Sequence, residues 1–121
     1  MTNAQTVADR YIAAWNEADG DRRRKLIEET WTETAAYVDP LMKGDGHDGI
    51  DGLIRGVQAR FPEFRFRLIG KPDGYADRLR FRWALGPDGS QAPVEGTDFA
   101  VLAPDGRLSL VTGFIDKAPA A

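Results

Sequence analysis

The sequence predicts an α+β domain in which helices cover one face of a curved antiparallel sheet. In the first half of the chain, apolar residues recur every three to four positions, as they do in amphipathic helices. From Phe64 onward they alternate with arginines, which is the period of a strand. Pro-Asp-Gly turns beginning at Pro72, Pro87 and Pro104 divide this second half into four long strands of a meander.

Two helices are predicted before the first strand. The first covers residues 2–18, with a capping box at Thr2 and Gln5 and a stop at Gly20. Its apolar face carries Val7, Tyr11, Ala14, Trp15 and Ala18. The second helix covers residues 21–31. Its first turn contains four consecutive cations, residues 22–25, which we expect to form a solvated face.

A short strand and a third helix complete the first half. The strand covers residues 34–39 and is stopped by Pro40. A glycine-rich loop, residues 41–48, then leads into a helix over residues 48–61, which ends before Pro62. Glycines at 49, 52 and 56 each destabilise that helix by about 1 kcal/mol relative to alanine, and close packing against the sheet would explain them.

The last two strands differ from the two before them. The earlier pair carries arginines on its outer face, whereas Phe99, Val101, Val111 and Ile115 leave apolar residues on both faces of the later pair. One helical layer can cover only one face. The sequence therefore predicts a homodimer formed through the outer face of the C-terminal strands. Residues 1–116 are expected to form a single domain, and residues 117–121 a disordered tail.

Composition excludes several classes of function. The 121 residues carry a net charge of −3, which argues against nucleic-acid binding. Without cysteine there can be no disulfide and no thiolate site, and the single histidine excludes a multi-histidine metal site within one chain. The sequence has no signal-like or membrane-spanning apolar run, so we expect a cytoplasmic protein that does not bind a membrane.

Two motifs in the glycine-rich loop are candidates for ligand binding. Gly44-x-Gly46-x-x-Gly49 matches the dinucleotide fingerprint, but a Rossmann unit needs a strand running directly into the glycines and a parallel strand after the helix. Here an antiparallel hairpin without an acidic residue follows. The nearby aspartates at 45, 48 and 51 lack the spacing of a calcium loop. We therefore expect neither a nucleotide nor a metal, and no cofactor.

The strand Val94–Leu102 contains one residue that breaks its pattern. With period-2 alternation, Asp98 shares a face with Val94, Gly96, Ala100 and Leu102. A carboxylate on such a face needs a partner, or a raised pKa that keeps it neutral. If the sheet faces are inverted, Asp98 instead faces solvent.

Four dispersed residues form the candidate chemical set: Tyr11, Asp39, His47 and Asp98. Two carboxyl groups and a phenol meeting in an apolar cavity suit proton transfer next to a carbonyl, because one carboxylate can remove the proton while the other groups bind the developing oxyanion. Each also has a structural interpretation. Tyr11 could be a core aromatic, Asp39 a turn cap and His47 a loop residue. The residues expected to line the substrate pocket are Trp15, Tyr37, His47, Trp83 and Phe114.

At these residues the chain resembles a known family. The segments R-Y-I-A-A-W, A-A-Y-V-D-P and G-T-D-F-A-V-L-A-P-D-G-R-L are similar to the nuclear transport factor two-like superfamily, and most of all to its SnoaL-like polyketide cyclases. The resemblance implies a cone-shaped α+β fold that usually dimerises. Similarity to ketosteroid isomerase implies that Asp39 is the general base. It also implies that Tyr11 and a protonated Asp98 donate to the oxyanion.

The resemblance leaves the function open. The connection between the first two helices and the loop after Asp39 both differ from the family pattern, and fold alone does not settle function. The leading hypothesis is a cofactor-free isomerase or cyclase that acts on a small apolar carbonyl compound. The alternatives are a module that binds a small hydrophobic molecule without turning it over, and a subunit whose sheet serves only assembly.

Overall fold

A computed structural model describes residues 3–89 and 91–119 of the chain. Within these residues the chain forms three helices and six strands in the order α1, α2, β1, β2, α3, β3, β4, β5, β6. Their bounds are Ala4–Asn16, Gly20–Thr30, Trp31–Val38, Lys43–Asp45, Gly46–Arg60, Phe64–Tyr75, Arg78–Pro87, Val94–Leu102 and Leu108–Lys117.

The strands form one curved, unclosed sheet in the order β2-β1-β6-β5-β4-β3. The α+β class and the helical cover are as predicted, but the expected sheet of one short and four long antiparallel strands is wrong in two details. β1 pairs with β6 in parallel, so the sheet is mixed, and the predicted glycine-rich loop contains β2, paired with β1. β1 is also longer than predicted, because it begins at Trp31, directly after Thr30 ends α2.

Side-chain caps fix where the first two helices begin. The Oδ1 of Asn3 accepts from the backbone N–H of Thr6 at 3.0 Å, and an Asp19 carboxylate oxygen accepts from that of Arg22 at 2.9 Å. Both are N-cap interactions that satisfy amides left free by the first turn. The predicted cap, Thr2, lies outside the described residues. Gly20 does not end the first helix as predicted but begins the second.

The predicted turn at Pro72 is wrong. β3 continues through Pro72-Asp73-Gly74 to Tyr75, and the chain reverses at residues 76–77. β3 is the edge strand of the sheet, where a proline without an N–H is tolerated. The β3–β4 register also shifts between Ile69 and Asp73, as a bulge would cause.

The inner face of the sheet and the helices enclose the core. Its largest fully buried apolar side chains are Trp31, Ile27, Ile50, Ile54, Leu79, Leu108 and Val111. Val111 pairs with Ala100 and has no exposed surface, which corrects its predicted use at a dimer interface. On the opposite, outer face, Phe99 and Leu110 are each 38% exposed and Phe114 is 55% exposed.

One arginine of the predicted solvated run is buried and joins the three helices. Arg23 is 4% exposed, and its Nε donates to an Asp51 oxygen at 2.7 Å. Its Nη1 donates to the carbonyl oxygen of Glu17 at 3.0 Å. Gln58 of α3 donates to the same carbonyl, also at 3.0 Å. Arg23 therefore satisfies backbone oxygens at the end of α1 that the helix itself leaves free.

The glycines of the apparent dinucleotide motif have a packing role. A Cβ at Gly44 would lie 3.0 Å from the carbonyl oxygen of Gly49, so β2 and the start of α3 can meet only because both positions lack a side chain. Gly46 adopts a φ of 71° at the junction between them. The expectation of close packing thus holds for Gly49. Gly52 and Gly56 are different, because no such close neighbour would meet a Cβ there.

The C-terminal strand reaches further than expected. Lys117, assigned by the sequence to a disordered tail, is the last residue of β6, and residues 120–121 lie outside the described part. Among the described helices, none combines the length and apolar character needed to cross a membrane.

Candidate active site

A cavity of about 590 Å³ opens between the helices and the inner face of the sheet. Six of the eight residues predicted for the site lie in its wall: Tyr11, Trp15, Tyr37, Asp39, Trp83 and Asp98. The remaining wall is mostly apolar. The volume of the cavity falls in the range of small-molecule pockets. The fold therefore gathers residues from α1, β1, β4 and β5 around one space.

Asp98 is the deepest charged group of this cavity. It lies on β5 between Phe81 of β4 and Gly113 of β6, and only 1% of its surface is exposed. Its Oδ2 accepts a hydrogen bond of 2.6 Å from the Tyr11 hydroxyl. Its Oδ1 is buried and has no hydrogen-bond partner within residues 3–89 and 91–119. One oxygen is thus held by Tyr11, while the other has no partner among the described residues.

Burial changes the acidity of the Asp98 carboxyl. Removal from water disfavours the charged form and raises its pKa from 3.8 to about 6, with a smaller increase from the negative charge of Asp39. The interactions with Tyr11 and Trp83 act in the opposite direction. The Tyr11 phenol has a pKa raised well above its usual value, first by burial and then by the neighbouring charge of Asp98. The Tyr11 hydroxyl therefore keeps its proton and acts as a donor.

Asp39 is held by three donors at the end of β1. Its Oδ2 accepts from the Tyr37 hydroxyl at 2.6 Å, and its Oδ1 accepts from the backbone N–H groups of Leu41 at 2.8 Å and Met42 at 3.0 Å. The two backbone contacts form an Asx-type turn, so the capping interpretation of Asp39 is correct. The same carboxylate also lines the cavity. The carboxylate that caps the turn is therefore also part of the cavity wall.

Gly113 brings the two carboxyl groups together. A Cβ at this position would lie 2.9 Å from Asp98 Oδ1, 3.1 Å from Asp39 Cβ and 3.4 Å from the Tyr37 hydroxyl oxygen. All three groups therefore surround one point on β6, and any side chain there would displace them. Sequence reasoning did not identify Gly113, because a glycine's role in close approach depends on neighbours from other strands.

Aromatic rings form the wall beside these acids. Trp15 and Phe66 lie 5.4 Å apart between ring centroids, and Phe66 and Trp83 are at the same separation, both pairs edge-on. The Trp83 ring lies directly over Gly96, where an added Cβ would meet Cζ2 at 2.2 Å. The Trp15 Nε1 is buried without a hydrogen-bond partner in the described residues.

Two residues predicted for the pocket lie elsewhere. Phe114 is on the outer face of the sheet, because it pairs with Thr97, whose position on β5 is one residue from Asp98. His47 is at the start of α3, and its Nε2 lies 2.8 Å from the carbonyl oxygen of Trp31. Neither belongs to the cavity wall. Their assignment to a substrate pocket is corrected accordingly.

Sequence reasoning missed several wall residues. Leu53 and Val57 of α3, and Phe61 directly after it, face the cavity. Arg60, at the end of the same helix, also lines it. Helical periodicity identifies the face that packs inward, but it does not distinguish a filled core from a hollow one.

The donor set does not resemble a metal centre. Within the described residues, no group of three or more histidine, cysteine, aspartate or glutamate side chains could hold a metal ion. Asp39 and Asp98 are the cavity's acids, and each has a tyrosine hydroxyl donating to it. Such an arrangement suits binding and proton transfer by the side chains themselves.

Comparison with known proteins gives consistent results. Residues 8–111 match the SnoaL-like domain family. A crystal structure from Agrobacterium tumefaciens, provisionally named an isomerase of the SnoaL-like family, is 44% identical, with a TM-score of 0.90 over 96% of this chain and 99% of that one. A SnoaL-like protein of unknown function from Burkholderia thailandensis is 17% identical, with a TM-score of 0.74 over 95% and 98% of the two chains.

A third structure is a protein from Sinorhizobium meliloti that is provisionally named a polyketide cyclase. It is 17% identical, with a TM-score of 0.70 over 89% of this chain and 93% of that one. At this identity the likeness concerns the fold. No curated protein sequence matches the chain.

Proposed function

The chain belongs to the SnoaL-like domain family, and from that premise we propose that its cavity is a cofactor-free active site for proton transfer next to a carbonyl group. The observation that supports this most directly is the buried Asp98, with Tyr11 on one oxygen and the other oxygen free. The substrate class is a small, mainly apolar carbonyl compound, because the rest of the wall is largely apolar.

The proposed reaction begins with proton removal by Asp39. Its carboxylate takes a proton from the carbon beside the carbonyl, and the electron pair of that C–H bond moves to make the carbonyl an enolate. Neutral Asp98 donates a hydrogen bond from Oδ1 to the enolate oxygen, where charge develops. Asp39 then returns the proton to a different carbon in an isomerase. In a cyclase the enolate carbon instead attacks a second carbonyl carbon of the same molecule, whose C=O π bond breaks as the new C–C bond forms, and the oxygen of that group takes the proton from Asp39.

Tyr11 supports Asp98 in this scheme. Because the Tyr11 hydroxyl occupies Oδ2 at 2.6 Å, the proton of a neutral Asp98 is placed on Oδ1, the oxygen that has no other partner. Sequence similarity implied that Tyr11 donates to the oxyanion itself. Its donor is used by Asp98, so we assign Tyr11 to positioning and polarising that carboxyl.

Binding without turnover is the second candidate. It is favoured by the three hydrogen bonds to Asp39, since they already use both carboxylate oxygens within the protein. On this alternative the cavity is a carrier site for a hydrophobic molecule, and the acids serve the turn and the core.

Phenols separate the two candidates, because a phenol imitates the shape and the oxygen of an enolate. We expect 4-propylphenol to raise the melting temperature more than propylbenzene does, since propylbenzene leaves Asp98 Oδ1 unpaired. Tyr11→Phe or Asp98→Ala should remove most of that preference, on the order of 1–3 kcal/mol. Equal binding of both compounds, unchanged in Tyr11→Phe, would support the carrier.

Turnover itself is tested by hydrogen exchange. We expect the protein to exchange the hydrogens next to the carbonyl of a small cyclic enone with D₂O, followed by NMR, and Asp39→Asn to abolish this exchange. Phenol binding that persists in Asp39→Asn shows that the variant retains the pocket. A wild-type rate equal to that of buffer, with phenol bound, would leave only the binding role.

We also propose that the outer face of β5 and β6 joins two copies of the chain. Phe99, Leu110 and Phe114 are exposed together there, with Val38 of β1 41% exposed beside them. An apolar surface of this kind on one sheet face is typical of an interface. The same face is covered symmetrically if two copies meet back to back.

A further inference from the structure

The charged groups of the cavity wall are separated by depth. The two acids, Asp39 and Asp98, are grouped around Gly113, and Asp98 is almost completely buried. The wall's cation is Arg60, which is exposed at the C-terminal end of α3. The acids thus lie at the inner end of the cavity and the cation at its outer end, and this arrangement would orient a charged ligand.

Arg60 is not used by the protein's own acids. Eleven ion pairs join charged side chains in the described residues, and none of them includes Arg60. Its guanidinium instead lies 5.6 Å from the centre of the Phe61 ring, which is stacked on Phe64 at 5.2 Å. The aromatic pair holds the cation in place, while its N–H donors make no hydrogen bond or ion pair within residues 3–89 and 91–119.

The wall between Arg60 and the interior is open. Gly52, Gly56 and Arg60 follow one another at four-residue spacing, so they form a single row along α3. A Cβ at Gly56 would meet nothing within 4 Å, and one at Gly52 would meet only the tip of Arg55 at 3.8 Å. The two glycines therefore leave space in the cavity wall, and Arg60 lies at the end of that row.

Two polar atoms inside the cavity wall lack partners. Asp98 Oδ1 and Trp15 Nε1 are both buried without a hydrogen bond in the described residues. A ligand with a carbonyl or enolate oxygen at its inner end can satisfy such groups. Any anionic group on that ligand is repelled by the Asp39 carboxylate and attracted by Arg60, so it faces outward.

We propose that the ligand of this cavity is an amphipathic carbonyl compound with a carboxylate at its opposite end, and that Arg60 binds this carboxylate. A guanidinium can hold a carboxylate through two parallel hydrogen bonds, which orients a ligand as well as attracting it. This assignment deepens the proposed function and rests on it for the inner end of the ligand. The outer end depends only on Arg60.

Three probes of one shape test the assignment: 4-propylphenol, 3-(4-hydroxyphenyl)propanoate and 3-phenylpropanoate. Their dissociation constants are measured by titration calorimetry with the wild type, Arg60→Gln, Arg67→Gln and Asp98→Ala. Arg67 is the matched control, because it is an exposed arginine on β3 with no ion pair and outside the cavity wall. We expect the hydroxyphenyl acid to bind about three- to tenfold more tightly than 4-propylphenol.

Arg60→Gln should abolish this preference without weakening 4-propylphenol, Arg67→Gln should preserve it, and 0.5 M salt should reduce it. A 4-propylphenol that binds at least as tightly as the acid, or a preference that survives in Arg60→Gln, overturns the carboxylate assignment and leaves the proposed function standing. If 3-phenylpropanoate depends on Arg60 while Asp98→Ala changes the affinity of no probe, the carboxylate assignment holds and the proposed oxyanion site fails.

Discussion

At the scale of single residues, Asp98 is where stability and function oppose each other. A carboxyl group that is 1% exposed, with one oxygen unpaired, contributes less to stability than an uncharged residue of the same shape. A carboxyl group at this position has no packing purpose, since the strand face around it is apolar. The stability lost by burying this carboxyl group is therefore best explained by a role of Asp98 in a binding site.

The first prediction concerns stability against pH. The pKa of Asp98 is raised from 3.8 to about 6 in the folded protein, so the folded state binds the proton more tightly than the unfolded state. Asp98 therefore costs no stability below about pH 4, and the cost grows to about 3 kcal/mol as pH rises past 6. Asp98→Asn should be more stable than the wild type at pH 8 by about 1–3 kcal/mol, and no more stable at pH 4.

Urea unfolding of both proteins across this range measures the difference. An Asp98→Asn variant that is less stable than the wild type at pH 8 would show that the ionised carboxylate is better satisfied than its free Oδ1 indicates. Asp105→Asn is a control with an exposed acid, and its pKa is lowered rather than raised.

A second prediction concerns ligand affinity against pH. If Asp98 donates from its protonated form, 4-propylphenol should bind most tightly below pH 6 and progressively less tightly above it, because the donor is lost as Asp98 ionises. Propylbenzene, which accepts no hydrogen bond, should bind with an affinity independent of pH. Calorimetric titrations at pH 5 and 8 compare them, and parallel profiles would remove Asp98 from the donor role.

Much of the candidate site followed from the sequence, and the failures have a common cause. An acid on an apolar strand face stands out in a single strand, so Asp98 was identifiable before any partner was known. Phe114 and Val111 were placed on the wrong faces, because β6 is apolar at both alternating sets of positions. Its register also shifts near Leu102, where alternation no longer specifies a face.

At the scale of elements, Arg23 determines how the helices meet. Its side chain is buried against Asp51 of α3 and against the last carbonyls of α1. A run of four cations conceals this role in the sequence, because periodicity alone does not separate an inward arginine from its exposed neighbours. The packing of three helices is therefore specified by a polar contact as well as by apolar ones.

We predict that Arg23→Gln lowers the free energy of unfolding by about 2–4 kcal/mol, since it leaves Asp51 and the α1 carbonyls with fewer partners in a partly buried setting. Arg22→Gln is the matched control, because its side chain is 74% exposed and its ion pairs are weak. It should change stability by less than about 0.5 kcal/mol. Equal effects of Arg23→Gln and Arg22→Gln in thermal or urea unfolding would show that the Arg23 side chain does not stabilise the packing of the three helices.

Alanine substitutions of two glycines, one in β5 and one in α3, should change the stability in opposite directions. Gly96→Ala would force the Trp83 ring out of place, at a cost of about 1–3 kcal/mol and with loss of phenol binding. Gly56→Ala meets open space in a helix and should stabilise by about 0.5–1 kcal/mol. Unfolding measurements on the two variants check both signs, and a stable Gly96→Ala variant would contradict the contact with Trp83.

The strands show where pattern reasoning works. Alternation of arginines with buried apolar residues placed β4 closely, and the Pro-Asp-Gly turns at 87 and 104 separated β4 from β5 and β5 from β6. β3 was predicted to end at Pro72, but as an edge strand it tolerates this proline and continues to Tyr75. β1 was predicted too short because its register shifts between Trp31 and Ala36, where the alternation is interrupted.

At the scale of the whole molecule, the outer face predicts self-association. Phe114→Lys should convert a dimer to a monomer, because it would bury an unpaired charge at the interface, while the inner face and the cavity remain unchanged. Arg22→Glu, a charge change on the exposed side of α2 and therefore on the opposite side of the sheet, should leave the dimer intact. Light scattering at micromolar to millimolar concentrations measures the mass, and a wild-type monomer throughout would exclude this interface.

The parallel pairing of β1 with β6 also has a consequence for how the chain folds. Tyr37 pairs with Val111, so the pairing of β1 with β6 joins the first third of the chain to its last strand. Contacts between such distant segments slow folding, because the intervening chain must be ordered before they form. On the ribosome, β1 and the helices beside it emerge long before β6. Until β6 is made, the edges of β1 and β5 that pair with it both lack a partner, and unpaired strand edges are prone to associate with other chains.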